Sequence, residues 1–116
     1  LQYMLQCGFL PCVLENSEMG IFSKIFIDIG DEQSLENDLS TYSSHLINMK
    51  HMLRHADDQS LVLIDEFGAG TEPTAGGAIA EAILQALCDK GTFGVITTHY
   101  SNLKHFAANT PGIVNG

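Results

Sequence analysis

A chain of 116 residues carries fourteen acidic side chains against five lysines and arginines, a formal charge of −9, with 45% hydrophobic and 16% charged residues. That length allows one core, the composition excludes an intrinsically disordered chain, and the acidity repels phosphate backbones, so any nucleic-acid contact must come from another surface. Cys7, Cys12 and Cys88 show no paired CxxC spacing, and no apolar run nears the ~20 residues that cross a bilayer; the expectation is a cytoplasmic, unexported protein without membrane contact, disulfide framework or structural zinc.

In chain order, residues 1–7 read as the last turns of a helix closed by Gly8, and residues 9–14 as a short strand weakened by Pro11. KIFIDI, residues 24–29, is a strand rich in β-branched and aromatic side chains that stops at Gly30. The acidic stretch 30–39 is a loop or a first helical turn. Tyr42, Leu46, Met49 and Leu53 then recur at steps of four, three and four, the stripe of an amphipathic helix with Ser40 or Thr41 as its N-cap and residues 57–60 as its close. Residues 61–65 form an apolar strand of the kind buried on both faces of a parallel sheet. A second helix over 75–89 turns Ile79, Ile83 and Leu87 inward and ends before Gly91. FGVIT, residues 93–97, is the next strand, 101–108 a short helix capped by Ser101, and 112–116 the start of a further strand. Cys7 and Cys12 read as small buried hydrophobes. His51 and His55 have an i, i+4 spacing that can bind zinc, but the sequence places no further ligand, so they read as surface histidines. Strands alternating with helices predict one α/β domain, a mostly parallel sheet flanked by helices on its faces.

LVLIDEFGAGT, residues 61–71, drives four aliphatic residues into Asp65 and Glu66 and then into a loop containing Gly68 and Gly70. Parallel α/β sheets bind ligands just beyond the carboxyl ends of their strands. Successive strand side chains point to opposite sides, so adjacent carboxylates can hold a cation and face a reacting molecule separately. Glycines beside them let backbone approach a ligand or a partner subunit. About thirty residues on, a second hydrophobic strand ends in Thr97, Thr98 and His99. Four aliphatics followed by Asp-Glu is the Walker B pattern of ATPases with a separate catalytic carboxylate, and His99 stands where ABC-type ATPases carry a histidine switch.

DEFGAGT followed by a helix and then TTHY resembles the ATPase domain of the MutS family of DNA mismatch repair proteins. IFIDIGDEQSLENDLSTYSSHL resembles that family's signature region, in which a Ser-Thr pair opens a helix, and its wording is most similar to the second, type-II branch, linked to recombination control and ribosome rescue. The resemblance covers essentially the whole chain. It implies a P-loop NTPase fold of the ABC type, ATP and Mg²⁺ as cofactors, and a homodimer that sandwiches nucleotide between its protomers. DNA or the ribosome would be contacted by other regions of the parent protein. Residue by residue, it implies that Asp65 holds Mg²⁺ through water, Glu66 is the general base and His99 senses the γ-phosphate. Ser40, with Thr41 beside it, would reach the γ-phosphate bound by the other subunit, and Gly68, Gly70 and Thr71 would form a loop carrying signals across the interface.

One part of the family pattern is missing. None of Lys24, Lys50, Lys90 and Lys104 stands in a GxxxxGK[ST] segment, which would supply the backbone cradle, the phosphate lysine and the Mg²⁺ hydroxyl. Residues 1–116 are therefore expected to be a fragment of a single MutS-type ATPase domain, with the Walker B, signature and histidine-switch portions and no Walker A, unable to hydrolyse ATP alone. A non-catalytic dimerisation module and the ATPase domain of another ABC-type chromosome-maintenance protein are the alternatives; the lack of LSGGQ argues against a transporter motor.

Overall fold

The computed structural model describes residues 6–8, 16, 18, 20–29, 38–68 and 71–116; for residues 38–41 it describes the backbone. Three strands, β1 (Lys24–Asp28), β2 (Ser60–Ile64) and β3 (Phe93–Ile96), lie side by side in the order β1-β2-β3, and both pairings are parallel. Between and after them run α1 (Asp38–His55), α2 (Pro73–Asp89) and α3 (Ser101–Asn109). The α/β class and the parallel sheet flanked by helices are as expected.

The register decides what each strand residue meets. Phe26, Val62 and Gly94 stand level, as do Asp28, Ile64 and Ile96, so these six share one face. Onto that face the three helices bring Met49, Met52, Ala80, Leu87 and Leu103, which pack with Val62, Ile64 and Phe67 into the core. Val62, at its centre, is 1% exposed. The opposite face carries Ile27, Phe93 and Val95, exposed by 52%, 59% and 63%. Among the described residues, then, helices cover one face and not two, a correction to the doubly covered sheet. The strands are apolar on both sides, and composition cannot say which side receives a helix.

Several element ends also move. Helix α1 begins at Asp38, so Ser40 and Thr41 occupy its first turn and not its cap. Helix α2 begins at Pro73, with Glu72 as N-cap: its carboxylate accepts from the Thr74 and Ala75 amides, each at 2.9 Å. Ile83 and Leu87 turn inward as expected, but Ile79 is 40% exposed, and Gly76, Gly77 and Ala80 are buried instead. A search for large apolar side chains overlooks a face built from small ones. Gly91 follows the helix at φ +69°, the left-handed stop expected there. Ser101 is the first residue of α3 and Tyr100 takes the cap position, with no side-chain cap bond. Residues 112–116 form no strand: Val114 is exposed, and Asn115 donates to the Lys104 carbonyl at 3.2 Å, tying the segment to α3 and not to the sheet. Cys7 is exposed, not buried. Gln6 is helical and Gly8 has φ +86°, in keeping with a helix closing there. The expected strand at 9–14 and the stop at Gly30 lie outside the described residues. No helix among the described residues is long and apolar enough to cross a membrane.

Candidate active site

Because the three strands run parallel, their carboxyl ends share one rim. Backbone pairing carries β2 one step further: the Asp65 amide donates to the Asp28 carbonyl at 2.9 Å, and the Thr97 amide donates to the Ile64 carbonyl at 3.0 Å. Asp65 and Thr97 are thus level neighbours. The Thr97 hydroxyl donates to Oδ1 of Asp65 and accepts from the Glu66 amide at 2.9 Å, so one side chain meets both consecutive acids. Asp65 is exposed and Glu66 partly so.

Glu66 takes φ +53°, the left-handed region that a residue with a Cβ rarely adopts. The conformation is over-determined by its neighbours, since the Glu66 amide is bound to Thr97 Oγ1 and the Phe67 amide donates to the Thr97 carbonyl at 2.9 Å. The direction of Glu66 is therefore set by this turn and not by strand alternation, which ends at Asp65 with the last backbone pairing. Phe67 is buried in the core and anchors the turn from below.

The exit of β3 runs alongside. Thr98 donates its hydroxyl to the Phe67 carbonyl at 3.1 Å, and Tyr100 donates to the Gly68 carbonyl at 2.5 Å. His99 lies between these two and is exposed, on the rim that carries Asp65 and Glu66. Burial pushes the Tyr100 hydroxyl above its ordinary range, and Tyr42 and Glu72 add to the shift. Gly68 has φ +86°, and a Cβ there would run into the Tyr100 ring. A Cβ on Gly76 would lie 2.5 Å from the Tyr100 hydroxyl oxygen and 2.5 Å from Cγ2 of Thr71. Gly68 was expected to let a ligand or a partner come close; within the chain the space it leaves is used by Tyr100.

Of the residues singled out from the sequence, Asp65, Glu66 and Gly68 are bonded to the exit of β3, the segment that carries His99, and Thr71 lies just ahead of α2 beside Gly76. Ser40 and Thr41 are in the first turn of α1 by backbone, and Gly70 lies outside the described residues. Thr97 and Tyr100 were missed. A hydroxyl run, Thr-Thr-His-Tyr, leaving a strand opposite two acids was the available signal.

The fit to ATP and Mg²⁺ can be tested on the donor set. Among the described residues no group of three or more His, Cys, Asp or Glu could hold a metal ion. A single exposed carboxylate suits Mg²⁺, which keeps several waters and takes its other ligands from substrate phosphates, and it does not suit an ion caged by protein. The residues present therefore fit the cation and water side of such a site, and no GxxxxGK[ST] segment that would cradle phosphates occurs in these 116 residues.

The described residues define an α/β class: a three-stranded parallel sheet flanked by helices, with an Asp-Glu strand end bonded to the polar exit of its neighbour. A family model described as MutS domain V matches residues 1–116. The chain is 52% identical over 115 residues to the Endonuclease MutS2 of Enterococcus faecalis, covering 99% of this chain and 15% of that protein. It is 50% identical over 115 residues to Endonuclease MutS2 of Geobacillus thermodenitrificans, with the same 99% and 15% coverage. Endonuclease MutS2 of Thermomicrobium roseum matches at 49% over 115 residues, 99% of this chain and 14% of that protein. The chain belongs to the MutS family, in its second, type-II branch, and corresponds to the C-terminal part of the ATPase domain. It spans about 15% of the length of these relatives.

Proposed function

We propose that residues 1–116 supply the Walker B, signature and histidine-switch portions of one MutS-type ATPase domain, and that the longer protein containing them hydrolyses ATP in the cytoplasm at a site shared by two identical protomers. DNA or the ribosome is engaged by other regions of that protein, and nucleotide turnover is coupled to the engagement. The supporting observation is the Thr97 hydroxyl joined to both Asp65 and Glu66, which holds two acids with different surroundings at one strand end.

Bound Mg²⁺ and ATP supply the electrophilic phosphoryl group. Asp65 holds the ion through water, and its carboxylate is oriented for this by Thr97. Glu66, thrown off the strand by its left-handed turn, orients the attacking water and takes its proton. His99 donates to an oxygen of the terminal phosphate. Ser40 and Thr41, in the first turn of α1 where unpaired amides favour anions, reach the phosphate held by the other protomer. Gly68, Gly70 and Thr71 carry the state of the nucleotide across the dimer interface. The 116-residue chain alone lacks a phosphate cradle and does not turn ATP over.

The test is Glu66→Gln in the longer protein. ATP binding is expected to persist while hydrolysis falls roughly 100-fold or more, the scale of a lost general base; hydrolysis at the wild-type rate would overturn the assignment. Appreciable turnover by the isolated 116-residue chain, abolished by the same substitution, would refute its inactivity.

A further inference from the structure

Two acids end neighbouring strands on this rim, and the chemistry above uses only the one on β2. Asp28, at the end of β1, is 4% exposed. Its Oδ2 lies 2.7 Å from Nδ1 of His45 and its Oδ1 lies 3.0 Å from Nδ2 of Asn48. A carboxylate can only accept, so the imidazole Nδ1–H and the asparagine amide are the donors.

Both donors come from α1, three residues apart and hence on one side of the helix. Apolar contacts such as those of Met49 and Met52 tolerate sliding along the helix axis, whereas two hydrogen bonds to one carboxylate demand a distance and a direction each. Together they fix the axial position and the rotation of α1 against the end of β1. Asp28 is bound on its other side too, because its carbonyl accepts the Asp65 amide. One residue thus links α1 through its carboxylate to the cation-binding acid through its backbone. A buried carboxylate costs more to bury than an aliphatic side chain at the same place, which makes it a poor choice for stability alone and a good one for specifying position.

We propose that the Asp28–His45–Asn48 network sets the position of α1 relative to the Asp65–Glu66 rim, and that His45 and Asn48 are positioning residues for the phosphate contact made by the first turn of that helix. This rests on the ATPase reading and deepens it by naming what places Ser40. The contact is made across the dimer, in the state that hydrolyses, so a displaced α1 leaves each protomer's own nucleotide binding intact. The deficit falls on kcat and not on KM.

Steady-state ATP hydrolysis by the longer protein tests this with His45→Leu, His45→Asn and Asn48→Ala beside Glu66→Gln. Leucine keeps bulk and removes the donor; asparagine restores an N–H close to where Nδ1 stands. Expected is a kcat lowered roughly tenfold by His45→Leu, a typical scale for a group held slightly out of place, with KM within about twofold of wild type and most of kcat recovered by His45→Asn. A wild-type kcat in His45→Leu, or an equally slow His45→Asn, overturns the proposal. Asn48→Ala removes the more exposed donor and covers the case of a His45→Leu protein that does not fold: a several-fold lower kcat at unchanged KM supports the proposal, and an unchanged kcat overturns it. Turnover that depends on Glu66 but ignores His45 and Asn48 sinks the positioning role alone. Turnover absent, or indifferent to Glu66→Gln, sinks the ATPase reading beneath it.

Discussion

Asp28 and Asp65 invite comparison because their strands end almost alike, IFID and VLID, on one rim of one sheet. Asp28 stands level with Ile64, so Asp65 lies one position further along. With side chains alternating between faces, that single step turns Asp28 toward the helices and Asp65 away from them. The first is buried and held by His45 and Asn48; the second is exposed and held by one hydroxyl. A strand-end acid is thus structural or available according to its parity with the covered face, and the residues beside it in sequence do not reveal which.

The comparison breaks most visibly in paired substitutions. Asp65→Asn in the longer protein is expected to lower ATP turnover by about 100-fold or more through loss of charge on the cation, with thermal stability within about 0.5 kcal/mol of wild type, as for most exposed positions. Asp28→Ala should act the opposite way round on stability, costing ~3 kcal/mol in denaturant titration because two donors lose a buried acceptor. Equal destabilisation by the two would erase the distinction. Next in size is Gly68→Ala, which meets both the positive φ and the Tyr100 ring; a loss of about 2 kcal/mol is expected. Tyr100→Phe leaves the ring and deletes the bond to the Gly68 carbonyl, for about 1 kcal/mol, read from the same unfolding curves.

The smallest effect concerns Glu72, a third acid with yet another task. Hydrogen bonds from the Thr74 amide and then the Ala75 amide hold its carboxyl below the ordinary value near 4.5. A depressed folded value means that the stabilisation is complete above the ordinary value and is lost as pH falls through the lower, folded one. Glu72→Gln should therefore lower stability slightly in the neutral region, leave it nearly unchanged below the folded value, and so flatten the acid limb of the profile. A parallel shift of the whole profile would show that charge plays no part in the cap.

The alternation of β1, α1, β2, α2, β3 and α3 was legible from periodicity, because each element's apolar spacing is a local property of ten or so residues. Asp65, Glu66 and His99 stood out as candidates from motif order. Their shared rim followed from the parallel topology that the alternation implies. Ile79 was misread because Gly76 and Gly77, which let Tyr100 and Asn102 pack against α2, carry no hydrophobic signal of their own.

By itself, then, the amino-acid order determined the six elements from β1 to α3, though not the end of the chain at 112–116, together with the family they belong to and which acids end a strand. Only the tertiary structure decided that Thr97 holds both acids of the pair, that Tyr100 fills the space above Gly68, and that Asp28 belongs to His45 and Asn48. The physical reason is separation along the chain: these partners stand 31, 32, 17 and 20 residues apart. Distances of 2.5–3.0 Å between such residues exist only once parallel register and helix packing have fixed the strands and helices against one another.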